Sequence, residues 1–103
     1  MKEIKEVCST SIFSEKLGGK WKLAIIYNLK NRSLRFGQLA TLINGVSRKV
    51  LTEHLRQMEN DNLISRTIYK ETPPRVEYSL TKAGKDLIPL FQKIDDWVKK
   101  HYP

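Results

Sequence analysis

The stretch "GVSRKVLTEHLRQME", Gly45 to Glu59, places positive and apolar side chains within one short helical pattern. On a helical wheel Leu51, Leu55 and Met58 share a face, Lys49, Glu53, Arg56 and Asn60 lie opposite, and Arg48 and Thr52 sit on the shoulder between. Ser47 offers its hydroxyl as the N-cap, so the spacing predicts a helix from Ser47 to about Asn60. One face of that helix suits a core and the other is basic and turned outward. A face of this kind is either an ordinary solvated surface or one that reads a partner, and its sequence neighbours bear on which.

Upstream, "STSIFSEKLGGKWKLAIIYNLKN" predicts a short helix over Ile12 to Leu17, a break at Gly18 and Gly19, and a stronger apolar helix from about Trp21 to Leu29. Trp21, Ile25 and Leu29 recur at i, i+4 and i+8, and Leu23, Ala24 and Ile26 widen the stripe enough for a central core helix. After the turn "NRS", "LRFG" can pair briefly as extended chain. Phe36, Leu39, Ala40 and Ile43 then follow at helical spacing until Asn44 and Gly45, either of which tolerates a left-handed helix exit. Two helices joined by a short Gly-containing turn have the outline of a helix-turn-helix.

Downstream, "LISRTIY" and "VEYSL" read as the two strands of a hairpin, with Val76, Tyr78 and Leu80 on one face. Pro73 and Pro74 donate no hydrogen bonds, so "KETPPR" should project as an unpaired tip flanked by Lys70 and Arg75. Thr81 can cap a last helix in which Leu87, Phe91, Ile94 and Val98 repeat at i, i+4, i+7 and i+11 beside Leu90 and Trp97, with a kink expected at Pro89. That stripe is long for the end of a small domain, and a second subunit would cover it most simply. The expected fold is mainly α with a small β-hairpin, as a single winged helix-turn-helix domain over residues 1–103.

A chain of 103 residues has room for one core. Its formal charge of +8 and pI near 9.8 favour polyanionic partners, nucleic acid before an anionic membrane. No apolar run approaches the ~20 residues that span a bilayer, and "MKEIKEVCSTS" lacks the apolar centre of a signal peptide, so the expected location is the cytoplasm, with no membrane partner. Cys8 is the only cysteine, which excludes an internal disulfide. His54 and His101 have neither metal-site nor triad spacing, so neither cofactor nor enzymatic activity is expected.

Double-stranded DNA is the partner that the outward helix face fits. Arg48, Lys49 and Arg56 can reach phosphates or base edges in a major groove, Arg by two hydrogen bonds to guanine. Thr52 can meet a thymine methyl or a phosphate, and Ser47 with the first-turn N–H groups suits a phosphate. Glu53 on the same face repels phosphates unless it pairs with Lys49 or Gln57 or accepts from a cytosine amine. Arg75 on the hairpin can enter a narrow minor groove, the alternative being that "TPPR" is simply a rigid turn. Docking to protein would call for an apolar patch on the reading helix, and RNA binding for an aromatic platform; neither is visible in the pattern.

Taken in order, Cys8, "GGKWKLAII", "RFGQL", "VSRKVLTEHLRQMENDNLISR", "PPRVEYSLTKAG" and "LIPLF" followed by Trp97 resemble the HxlR-type, MarR-like winged helix-turn-helix transcriptional regulators of bacteria and archaea. The resemblance spans nearly the whole chain. It implies a homodimer that places two recognition helices in successive major grooves of a palindromic operator. The N-terminal segment and last helix would form the interface, through Ile12, Phe13, Leu87, Leu90, Phe91, Ile94, Trp97 and Val98. Some members sense oxidants or electrophiles through an N-terminal cysteine in a place similar to that of Cys8, although Ser9 here replaces the usual following proline. Lys5 would favour the thiolate while Glu3 and Glu6 oppose it, and the alternative role is a small buried interface residue. Any effector, small molecule or oxidant, is left unidentified by the sequence.

Overall fold

The computed structural model describes residues 8–103, so Glu3, Lys5 and Glu6 lie outside the described residues. The element order is α1 (Ser9–Leu17), α2 (Lys22–Asn28), α3 (Phe36–Leu42), α4 (Arg48–Asn60), β1 (Ile64–Tyr69), β2 (Arg75–Leu80), α5 (Lys82–Lys85) and α6 (Ile88–His101). This is the winged helix-turn-helix that the periodicities predict. Helix α1 begins earlier than the apolar pattern suggests, because Cys8 stands at its N-cap and the polar "STS" supplies its first turn.

The core forms where the apolar stripes meet. Ile25, Ile26 and Leu29 of α2 and its end, Leu39 of α3, and Leu51, Leu55 and Met58 of α4 are almost wholly removed from solvent. Ile64 and Leu80, facing each other across the hairpin base, complete the cluster. Burying a side chain of this size contributes about 1.5–3 kcal/mol, so α4 is held mainly by its three inward residues rather than by helix propensity.

Short polar devices set the element boundaries. The Ser47 hydroxyl accepts from the Val50 N–H at 3.1 Å and starts α4. The Gln38 side chain accepts from the Arg35 N–H at 2.8 Å and fastens the start of α3. Of the two residues proposed to turn the chain after α3, Gly45 takes the left-handed conformation, with φ +94°. A Cβ there would lie 3.3 Å from the Trp21 ring, so glycine also permits a close approach to α2.

The hairpin is antiparallel, in register from Ile64 opposite Leu80 to Tyr69 opposite Arg75. Its third member is the brief extended pairing anticipated at "LRFG": Leu34 and Tyr78 exchange N–H to O=C bonds of 3.0 and 2.8 Å. The wing is thereby tied to the segment that leads into α3. At its far side the Leu63 carbonyl accepts from Thr81 N–H, and the Thr81 hydroxyl caps α5 by accepting from Gly84 N–H.

The C-terminal segment departs from expectation. Instead of one helix kinked at Pro89, the chain forms a single turn of α5 and then a separate α6. Pro89 falls in the first turn of α6, where its missing N–H would have no intrahelical acceptor, so it begins a helix rather than bending one. Helix α6 has no buried residue, and Leu90, Ile94, Trp97 and Val98 are left exposed along it.

Candidate nucleic-acid interface

Helix α4 presents Arg48, Lys49, Thr52, Glu53 and Arg56 around a shallow depression closed on one side by Phe36 from the start of α3. All five polar side chains are exposed, whereas residues 51, 55 and 58 point inward. The Arg48 guanidinium lies 4.8 Å above the Phe36 ring, a cation–π contact worth about 0.5–1 kcal/mol when exposed. Phe36 thus orients a side chain of the reading face, a role invisible in a helical pattern that assigns it only to packing.

The Thr52 hydroxyl donates to the Arg48 carbonyl at 2.8 Å. Its proton is therefore engaged within the helix, which leaves its methyl group and its acceptor capacity for a ligand. Glu53 forms no ion pair with Lys49 among the described residues, so its negative charge stays within an otherwise basic surface.

A second hollow joins this face to the wing, lined by Thr52, Arg56, Glu59, Arg66 and Tyr78. Arg66 stands 3.7 Å from the Glu59 carboxylate. No helical or turn pattern singles out Arg66, but the alternation in "ISRTIY" places it on the same strand face as Ile64, the face that packs toward α4. Tyr78 pairs with it across the strands. Partial burial pushes the Tyr78 pKa up, with opposing effects from Arg66 and Glu59, so its hydroxyl remains a hydrogen-bond donor at neutral pH.

The wing tip is less free than its composition suggests. Arg75 lies 3.2 Å from Glu71 and, through Nε, 3.5 Å from Glu77, and its guanidinium sits 4.2 Å over the Tyr69 ring. That Nε is buried and makes no hydrogen bond, so the Glu77 contact is one of charge without donor geometry. Lys70 is exposed and has no such partner among the described residues.

Beneath the reading face, His54 has a buried Nδ1 without a hydrogen-bond partner. Burial, then the Lys22 charge, lowers its pKa, while Glu53 opposes them. Cys8 is exposed. Its Sγ lies 2.9 Å from the Thr10 hydroxyl, and that hydrogen bond, followed by contacts to the Ser11 and Thr10 backbone, lowers the thiol pKa.

The residues expected at a subunit interface divide into two groups. Phe13, Leu87 and Phe91 pack partly against the chain's own core, Phe91 edge-on to Tyr27 at 5.4 Å. Ile12, Leu90, Ile94, Trp97 and Val98 are exposed. Among the described residues, no three or more His, Cys, Asp or Glu side chains are grouped to hold a metal ion, and no helix is long and apolar enough to cross a membrane.

The chain is similar in sequence and in shape to known proteins. An HTH-type transcriptional regulator of Methanothermobacter thermautotrophicus is 39% identical over 95 residues, covering 92% of this chain and 72% of the relative. A MarR-family transcriptional regulator structure from Porphyromonas gingivalis W83 superposes with a TM-score of 0.86 at 34% identity, covering all of both chains. The redox regulator HypR, in its oxidised form, has a TM-score of 0.84 at 30% identity, covering 93% of this chain and 99% of HypR. The model of the HxlR-like helix-turn-helix family matches residues 16–103, from α1 through the wing to the end of α6. The chain belongs to that family and is a DNA-binding transcriptional regulator rather than an enzyme.

Proposed function

We propose that the chain, as a single domain over residues 1–103, acts as a homodimer that recognises a palindromic operator. Helix α4 enters the major groove and the wing meets the adjacent backbone or minor groove. The observation that carries this reading is the division of α4: Leu51, Leu55 and Met58 are buried to the limit while Arg48, Lys49, Thr52 and Arg56 stand together and exposed. Ser47 and the first-turn N–H groups suit a phosphate, Arg48, Lys49 and Arg56 suit base edges or phosphates, and Thr52 suits a thymine methyl. Lys70 is the freer wing contact, and Arg75 joins only by leaving Glu71 and Glu77.

The exposed apolar side of α6, with Ile12 of α1, supplies the self-association surface. Selection of bound fragments from random DNA, followed by titration against the recovered site and against scrambled DNA, tests the whole reading. A paired half-site separated by about one helical turn is expected. Equal affinity for both DNAs would overturn it.

The same protein responds to oxidants or electrophiles through Cys8. Its exposure and the Thr10 hydrogen bond favour the reactive thiolate, and the similar protein HypR is a redox regulator. A mild oxidant or quinone should change operator binding by the wild type and leave Cys8→Ser unaffected. An equal response of the two proteins would exclude the thiol.

A further inference from the structure

Thr52 and Arg56 line both the depression on α4 and the hollow between α4 and the wing, so the hollow adjoins the reading face. Its volume of about 210 Å³ is below the ~300–1,000 Å³ of small-molecule sites and suits a single tetrahedral anion. Arg56 from the helix and Arg66 from the strand set two guanidiniums against the one carboxylate of Glu59, which leaves the hollow net positive.

A helix in a major groove and a wing in the adjacent minor groove are separated by one sugar–phosphate strand, and the space between those two elements in this fold is the hollow. The side chains around it fit such a strand. Arg56 forms no ion pair among the described residues. Arg66 comes no nearer to Glu59 than 3.7 Å, too long for a hydrogen bond, and both side chains are partly exposed, so the pair is weak and exchangeable. Tyr78 is held by its paired main-chain bonds to Leu34, and its neutral hydroxyl is a further donor. The Thr52 proton is committed to the Arg48 carbonyl, so donors to an anion come from Arg56, Arg66 and Tyr78.

We propose that Arg66 is a DNA contact that pairs with Glu59 in the free protein and, on binding, exchanges that carboxylate for a backbone phosphate seated beside Arg56 and the Tyr78 hydroxyl. The exchange rests on the docking of α4 and wing proposed above. Glu59 is then a built-in competitor that holds down affinity for any duplex. A pair that only fastened the wing to α4 would make loss of either partner weaken DNA binding, whereas the exchange makes the two losses act in opposite directions.

Anisotropy titrations of the full chain at several salt concentrations, on a scrambled duplex and on the recovered operator, test this. Arg66→Gln should weaken binding about tenfold on both DNAs and lower the salt slope by about 0.9 per bound chain, and Arg66→Lys should recover the slope. Glu59→Gln should tighten binding about threefold beyond Glu15→Gln, which removes the same charge from α1. In the Arg66→Gln background the two acidic substitutions should have equal effects. Inorganic phosphate at matched ionic strength should displace DNA equally from the wild type and Arg66→Gln. An unchanged salt slope in Arg66→Gln, weaker binding by Glu59→Gln, or selective displacement of the wild type by free phosphate would each overturn the proposal. Scrambled DNA carries the same phosphates, so these outcomes are separate from operator discrimination: equal wild-type affinity for both duplexes sinks the operator reading and leaves the Arg66 effect measurable.

Discussion

Leu51→Ala and Lys49→Ala lie two residues apart on α4 and should fail in opposite assays. Leu51 is fully buried, and truncation removes three carbon groups at about 0.8 kcal/mol each, or roughly 2.4 kcal/mol of transfer free energy. The cavity left in the core adds to that, giving an expected loss of about 3–4 kcal/mol. Lys49 is exposed and without an ion partner among the described residues, so its removal should change stability by less than about 0.5 kcal/mol. Urea unfolding at fixed protein concentration measures both, the midpoint shifting at unchanged slope. Operator binding, measured at low temperature, should reverse the order. A Leu51→Ala protein retaining about 2 kcal/mol of stability still has roughly thirty folded molecules for each unfolded one and should bind almost normally. Lys49→Ala should lose about 1–3 kcal/mol on the operator alone if it reads a base, or reduce the salt slope by about 0.9 on every sequence if it meets a phosphate. A stability loss below about 1 kcal/mol for Leu51→Ala, or normal DNA binding by Lys49→Ala, would refute the assignment of the two faces.

The wing offers a test by gain. Converting Glu71 and Glu77 to Gln frees Arg75 from both carboxylates and should tighten DNA binding and steepen its salt dependence; unchanged binding would mean that Arg75 does not reach DNA. A Cβ on Gly84 would fall 2.3 Å from the Leu63 carbonyl oxygen, so Gly84→Ala should destabilise by about 1–3 kcal/mol in thermal or urea unfolding. Gly37→Ala meets nothing within 4 Å inside α3 and should be neutral or stabilising by up to about 1 kcal/mol; equal losses at both sites would contradict this packing. Burial and Lys22 hold the folded-state pKa of His54 below its usual 6.5, so the folded chain takes up the proton less readily than the unfolded one. Its contribution to stability is full above pH 6.5 and is lost as the pH falls through the lower folded value. Unfolding measured from pH 7.5 down to pH 5 should therefore show a smaller acid-side loss in His54→Gln, and an identical pH slope would exclude this role.

Much of the architecture is legible from local periodicity because it depends on which side chains a helix or strand aligns on one face. The inward triad of α4, the central helix around Ile25 and Leu29, the Ser47 cap and the hairpin all follow from spacing and from turn residues, within one element or its neighbours, and the extended run at Leu34 is legible too, whereas its partner Tyr78 is not. The split between α5 and α6 was also latent there. Proline is tolerated in a first helical turn as readily as it kinks an interior, and the apolar repeat cannot distinguish the two. What lay beyond the sequence is every property set by how side chains approach one another in the folded chain. Arg75 looked free, but its charge is shared with Glu71 and Glu77 only once the hairpin folds. Arg66 reaches the α4 side only because strand register carries it there. Phe36 becomes a support for Arg48, and Arg32 comes to share a cleft with Lys85. Sequence alone determined the elements and the basic helix, since those rest on periodicity and composition; the tertiary structure decided which charges are available, since electrostatic partnership depends on distances that close only in the folded chain.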